Sequence, residues 1–309
     1  MDIQAELRDS TLKNLPLLAS QVVEGFISGI HKSPFHGYSA EFAEHKLYNT
    51  GESTKHIDWK LYAKTDKLYT KKYEEETNLR CHFLLDQSGS MYYPEVTSPS
   101  LSQLNKISFS ALSIAAIMQL LSKQRDAVGL SIYDEELRFQ SAEKGSSLHY
   151  SMLYKALEQC INAPQPSTKT NTYQFLHNIA EKLQRRSLVF LFTDVFQTEV
   201  SRADLFEALR HLKHNKHQVV LFHTLDVKTE VNFDFDDTPK RFFDLESGAK
   251  LNLHTHQIQK EYAAKMHEFI QDLKLTCAKY KIKYVEADVR SNFEKILSTY
   301  LLEKQKLKG

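Results

Sequence analysis

Leu84-Leu-Asp-Gln-Ser-Gly-Ser-Met91 carries an apolar run straight into an acid and two hydroxyls at alternate positions, Asp86, Ser88 and Ser90. The run that precedes it, from residue 80 to 85, is short and apolar enough to be a buried strand. Alternate residues of extended chain share a face, so these three oxygens can converge on one point just past the strand end. A lone acid there would simply be solvated. Three convergent oxygens predict something positive to hold.

Outward from this stretch the chain alternates strand and helix. Helical spacing over 102–123 follows it, then strands at 127–133 and 136–140 joined by a turn at Asp134 and Glu135. Helices over 147–160 and 171–184 precede the strand 187–192, and a helix over 202–213 leads to the strand 218–222. After a turn-rich stretch near 226–250, Ile258, Tyr262, Met266, Phe269, Leu273, Cys277 and Tyr280 recur at helical spacing. A short strand at 282–286 and a helix over 291–303 close the pattern, and 304–309 reads as a frayed, solvated end. Alternation with near-continuous apolar strands predicts an α/β fold, a doubly wound and mostly parallel sheet covered on both faces. Ligands in such sheets bind beyond the carboxyl ends of the strands, where the strand order reverses.

Upstream of residue 79 the rhythm differs. Leu15, Leu18, Val22, Val23, Phe26 and Ile27 predict an amphipathic N-terminal helix, and residues 31–80 an irregular segment with short strands. The expected division is 1–78 packed on a main domain of 79–309. Asp58 and Trp59 with Glu74, Glu75 and Glu76 could form a second surface, but the favoured reading is structural, with the tryptophan as an anchor and the acids paired with nearby lysines.

Forty basic against 39 acidic residues give a formal charge of +1, so no global field favours nucleic acid. Cys81, Cys160 and Cys277 lie far apart among apolar neighbours and read as reduced core thiols. The N-terminal residues lack a basic cluster followed by an apolar run, and no window reaches the roughly 18 uninterrupted apolar residues of a membrane span. A cytoplasmic protein without a transmembrane segment is expected, with peripheral attachment to the inner membrane through partners as a second placement.

Two further oxygen positions belong with the opening motif. Phe192-Thr-Asp194 ends a second apolar strand with an acid, and Thr170 stands before the helix that starts at 171. Asp86, Ser88, Ser90, Thr170 and Asp194 are all hard oxygen donors, which suits Mg²⁺, with Mn²⁺ as the alternative, and argues against zinc. Asp-x-Ser-x-Ser after the first strand, a threonine before a mid-domain helix and an aspartate after the fourth strand resemble the metal-ion-dependent adhesion site of von Willebrand factor A domains. The frame around them, Gly51-Glu-Ser-Thr-Lys-His-Ile-Asp-Trp-Lys60, Tyr73-Glu-Glu-Glu76, Arg125-Asp-Ala-Val-Gly129, Arg185-Arg186 and Phe243-Asp-Leu-Glu-Ser-Gly248, resembles the bacterial domain of unknown function 58 family over most of 30–303. The matching threonine is a choice among Thr168, Thr170 and Thr172, and Thr170 suits the spacing to Arg185-Arg186.

The resemblance implies a von Willebrand A-like, Rossmann-like domain with sheet order 3-2-1-4-5-6 and one antiparallel edge strand, here 136–140. It implies a partner too, a MoxR-type AAA+ ATPase with which members act in maturing or remodelling client proteins. An ion held by Ser88, Ser90 and Thr170, with the two acids acting partly through water, would keep unquenched charge for an acidic side chain offered by the partner. The expected function is therefore a non-enzymatic adaptor. No GxxxxGK[ST] or GxGxxG nucleotide loop, no HExxH and no GxSxG elbow is present. A metal-dependent phosphatase-like hydrolase and a structural scaffold with an unoccupied metal site are the competing readings.

Overall fold

A computed structural model describes residues 12, 14–32, 45–47, 59–65, 68–71, 79–124, 126–163, 172–183, 186–195, 199–236, 240–243, 250–253 and 255–308. Two compact units emerge: one holds the residues up to Phe26 together with Leu79 onward, the other runs from Ile27 to Asn78. Helix α1 (Leu15–Lys32) begins in the first unit, where it buries Leu15, Leu18, Ala19 and Val23 at i, i+3, i+4 and i+8. Within the second unit β1 (His45–Leu47) pairs antiparallel with β2 (Tyr69–Lys71), and α2 (Trp59–Thr65) lies between them in sequence. The acids at 74–76 and the side chain of Trp59 lie outside the described residues.

The first unit is built on six strands: β3 (Arg80–Asp86), β4 (Ala127–Tyr133), β5 (Leu137–Gln140), β6 (Leu188–Thr193), β7 (Gln218–Leu225) and β10 (Lys283–Asp288). They lie in the order β10-β7-β6-β3-β4-β5, all parallel except β5, which runs antiparallel at one edge. Counted along the chain this is 3-2-1-4-5-6, the order that the von Willebrand A resemblance implies. The two faces are separate cores because strand residues alternate. Cys81, Phe83 and Leu85 of β3 and Phe190 and Phe192 of β6 face one side, and Leu84, Val189 and Leu191 face the other. The first face packs against α1, α3 (Lys106–Lys123), α4 (Ser147–Asn162) and α8 (Glu294–Lys308); the second packs against α5 (Thr172–Lys182), α6 (Glu199–His214) and α7 (Thr255–Lys279). All three cysteines are buried and free.

Three segments depart from the expected pattern. The turn-rich stretch contains a hairpin, β8 (Lys240–Phe243) with β9 (Lys250–Leu253), whose Phe242 stacks on Phe233 and meets Phe235 edge-on. A π-helical turn, Val227–Val231, follows β7 directly. The C-terminal helix runs to Lys308 instead of fraying at 304. Its end is tethered: the buried Lys304 ammonium donates to Asp126 Oδ2 at 2.6 Å and to the Gln124 side chain. Periodicity cannot register a single lysine that reaches a carboxylate 178 residues away.

Candidate metal centre

The chain leaves β3 for β4 on one side, while β6 lies on the other, so the connections diverge between β3 and β6. That divergence opens the crevice at the carboxyl ends of these two strands. Their register aligns Leu85 with Phe192, which brings Asp86 and Thr193 level at the strand ends, with Asp194 one residue further. The fold thus delivers two acids from distant sequence to one rim.

Asp86 is fully buried, and its Oδ1 accepts from the Ser88 backbone N–H at 2.9 Å, an Asx turn that swings the chain into a 3-10 turn over Gly89–Tyr92. Asp86 Oδ2 accepts from the Thr193 hydroxyl at 2.7 Å. Ser88 Oγ lies 3.1 Å from Ser90 Oγ, and the Ser90 hydroxyl is near enough to Asp194 to help hold its carboxyl low. Asp86, Ser88, Ser90 and Asp194 are therefore gathered in one oxygen cluster. Thr170 and Thr168 lie outside the described residues, and Thr172 opens α5.

Behind Asp194 the backbone is held in an unusual shape. Val195 is buried with φ 54°, the left-handed region, where a β-branched residue costs on the order of 1–3 kcal/mol. Its N–H bonds Thr193 Oγ1 at 3.3 Å, and His223 Nε2 donates to the Asp194 carbonyl at 2.7 Å while His223 Nδ1 accepts from Tyr284. Burial lowers the His223 imidazole to about 4, so this ring acts as a neutral brace.

Lys106, the first residue of α3, is a member of the site that spacing alone did not single out. Its ammonium is completely buried and donates to Asp194 Oδ2 at 2.8 Å and to Glu230 Oε1 at 2.6 Å. Glu230 belongs to the π turn, and its second oxygen accepts from the Asp226 N–H at 2.7 Å. Asp226 caps that turn by accepting from Thr229 N, and Arg290 grips its carboxylate with two 2.7 Å bonds. Tyr93 joins the two sides by donating to Thr229 Oγ1 at 2.7 Å. The one sequence signal for Lys106 was a lysine heading a largely apolar helix just after Asn105, its N-cap.

Electrostatics separate the two acids. Burial, followed by the charge of Asp194, pushes the Asp86 carboxyl up to about 7. Burial acts on Asp194 in the same sense, but the Lys106 charge and hydrogen bond outweigh it and hold that carboxyl below its ordinary value. Glu230 is raised, with burial the main cause and Lys106 opposing it. Lys106 itself is raised, since its two carboxylates outweigh its desolvation.

The donor set fits a hard divalent cation. Among the described residues no three His, Cys, Asp or Glu side chains are gathered as a ligand set. The cluster instead offers two acids and two hydroxyls, the oxygen chemistry with which Mg²⁺ keeps several waters. Asp86 accepts from a backbone N–H and a hydroxyl, both neutral, although it is buried beside another acid. Asp194 and Glu230 share the Lys106 ammonium, and Asp86 is buried beside Asp194 with only neutral donors of its own, so a divalent ion would offset negative charge gathered at this rim.

The family model described as "Protein of unknown function DUF58" matches residues 44–269. None of the curated proteins matches. Among solved structures, the conserved hypothetical protein BatB from Bacteroides thetaiotaomicron is similar at 16% identity and a TM-score of 0.45, covering 74% of this chain and 98% of that one. An aerotolerance-related membrane protein from Bacteroides fragilis is similar at 16% identity and a TM-score of 0.43, covering 74% and 99%. The PilB minor pilin from Streptococcus sanguinis is similar at 12% identity and a TM-score of 0.41, covering 78% and 64%. These likenesses concern chain path alone, and the sheet order stands on its own strand pairings. No helix among the described residues is long and apolar enough to cross a membrane.

Proposed function

The chain belongs to the DUF58 family, and from that premise we propose that it is a non-enzymatic interaction adaptor whose switch-point cluster binds Mg²⁺, or Mn²⁺, and through it an acidic side chain of another protein. Asp86, Ser88, Ser90 and Asp194 hold the ion, with Thr170 as the fifth residue. The ion's contribution is positive charge left partly unquenched by hydroxyl ligands. The protein's contribution is placement, because the Asx turn, the Thr193 hydroxyl and the His223 brace fix the donors before anything binds. The partner is a MoxR-type AAA+ ATPase or its client, met in the cytoplasm or at the inner-membrane surface in protein maturation or remodelling.

One observation carries this reading: four hard-oxygen side chains from two distant strand ends, two of them buried carboxyls, are gathered in one cluster. Copurification with the MoxR-type ATPase in Mg²⁺ and in chelator tests it, with Asp86→Ala as the variant. Binding should be lost in chelator and in the variant, while the circular dichroism spectrum stays unchanged. Full binding by Asp86→Ala would end the docking mechanism. Turnover of an aryl phosphate that disappears with Asp86 would replace the adaptor with a hydrolase.

A further inference from the structure

We propose that Lys106 is a built-in cation that competes with the divalent ion for Asp194, and that Glu230 is the carboxylate that keeps the ammonium when an ion enters. This rests on the metal reading of the Asp86–Ser88–Ser90–Asp194 cluster and adds to it an internal regulator.

The geometry supplies both halves of an exchange. The Lys106 ammonium has three N–H donors, and two of them reach Asp194 and Glu230 at 2.8 and 2.6 Å. Asp194 is one residue beyond Thr193, which bonds Asp86, and Ser90 lies near its carboxylate, so the acid that carries the lysine also belongs to the oxygen cluster. A divalent ion drawing on Asp194 would sit close to the ammonium, and two cations at that range in a buried site repel strongly. The lysine must then be held elsewhere. Glu230 is ready for it: one oxygen is pinned to the Asp226 N–H at 2.7 Å, and the other already carries the ammonium.

The support for Glu230 is itself braced. Arg290 fixes the Asp226 cap, Tyr93 ties down Thr229, and the Tyr93 ring lies 5.9 Å from the Lys106 nitrogen. A π turn is an uncommon element that is frequent at functional sites, and this one places its acid where the site's own cation can be parked. The two arrangements differ in which carboxylate dominates the lysine, and an ion shifts their balance only through its preference for a freed Asp194.

Calorimetric titration of the chelator-stripped full chain with MgCl₂ and MnCl₂ tests this, with variants chosen to have opposite signs. Lys106→Met should bind the ion at least tenfold more tightly, because Asp194 is released and the repelling charge removed. Glu230→Gln should bind several-fold more weakly, because the ammonium then loses the charge of its second carboxylate and leans more heavily on Asp194. The double variant Lys106→Met/Glu230→Gln removes a buried pair together, so it decides the question if the single lysine variant fails to fold; it too should bind at least tenfold more tightly. Equal or weaker binding by the folded lysine-free variants would overturn the inference while leaving the metal site standing. Binding by those variants with none by wild type supports it in its strongest form. Silence from all of them, with Asp86→Asn indistinguishable, would remove the metal reading and this inference with it.

Discussion

The Thr193 hydroxyl donates to Asp86 Oδ2 across 2.7 Å, tying together the carboxyl ends of the two parallel strands that flank the switch point. The same oxygen accepts from Val195 N–H at 3.3 Å, so one side chain supports both the acid of the first strand and the strained turn behind Asp194.

Thr193→Val should therefore destabilise the fold by about 1–3 kcal/mol, because a buried carboxylate loses a donor without gaining water. Thr193→Ser keeps the hydroxyl and should retain most of that stability. Urea denaturation compares the three, and a valine variant as stable as wild type would show that Asp86 needs no such partner.

The buried Lys304–Asp126 pair should behave as an uncompensated charge when half of it is removed. Asp126 Oδ1 also accepts from Leu79 N at 3.1 Å at the entrance of β3, so the pair staples the C-terminal helix to the first strand of the sheet. Lys304→Met should cost about 3–5 kcal/mol, whereas Lys304→Met with Asp126→Asn should recover part of the loss. Equal stabilities for the single and double variants in thermal melts would contradict this account.

Gly129 faces His82 on the neighbouring strand, and a Cβ there would lie 2.8 Å from His82 Cε1 and 3.1 Å from the Ser141 carbonyl oxygen. His82 is itself buried and bonded to Glu143 at 2.7 Å and Ser131 at 2.9 Å, so it has no free space to retreat into. Gly129→Ala should cost about 1–3 kcal/mol through overpacking, measured by urea denaturation. A neutral outcome would mean that the ring can shift without losing its partners.

Glu143 offers a test in pH. Burial alone would raise its carboxyl, but the His82 hydrogen bond and charge outweigh that and set it below its ordinary value of 4.5. A carboxyl lowered in the folded state binds fewer protons folded than unfolded, so its stabilisation is present above pH 4.5 and is lost as pH falls through the lower folded value. The stability gap between wild type and Glu143→Gln should accordingly be wide at pH 6 and close on acidification. A gap that does not change with pH would assign the effect to packing.

Much of the architecture was legible because it is written in local periodicity. Continuous apolar strands alternating with helices require a sheet covered on both faces, and Asp86, Ser88, Ser90 and Asp194 stand beside strand ends that any reader of the chain can find. The hairpin at 240–253 was not legible, since its short strands are held by the aromatic cluster of Phe233, Phe235 and Phe242 and not by a pattern of their own.

What the chain order alone decided, then, was which oxygens stand at strand ends, because strand and helix alternation is a consequence of local hydrophobic pattern, whereas the reversal of strand order was implied by the family resemblance and is fixed by tertiary strand pairing. Only the tertiary structure decided which charges meet them there. Lys106 and Glu230 lie 124 residues apart and Lys304 and Asp126 178 apart. Their pairing depends on where whole elements pack, since an ion pair is a relation between two points in space that neither residue's neighbours in sequence can encode.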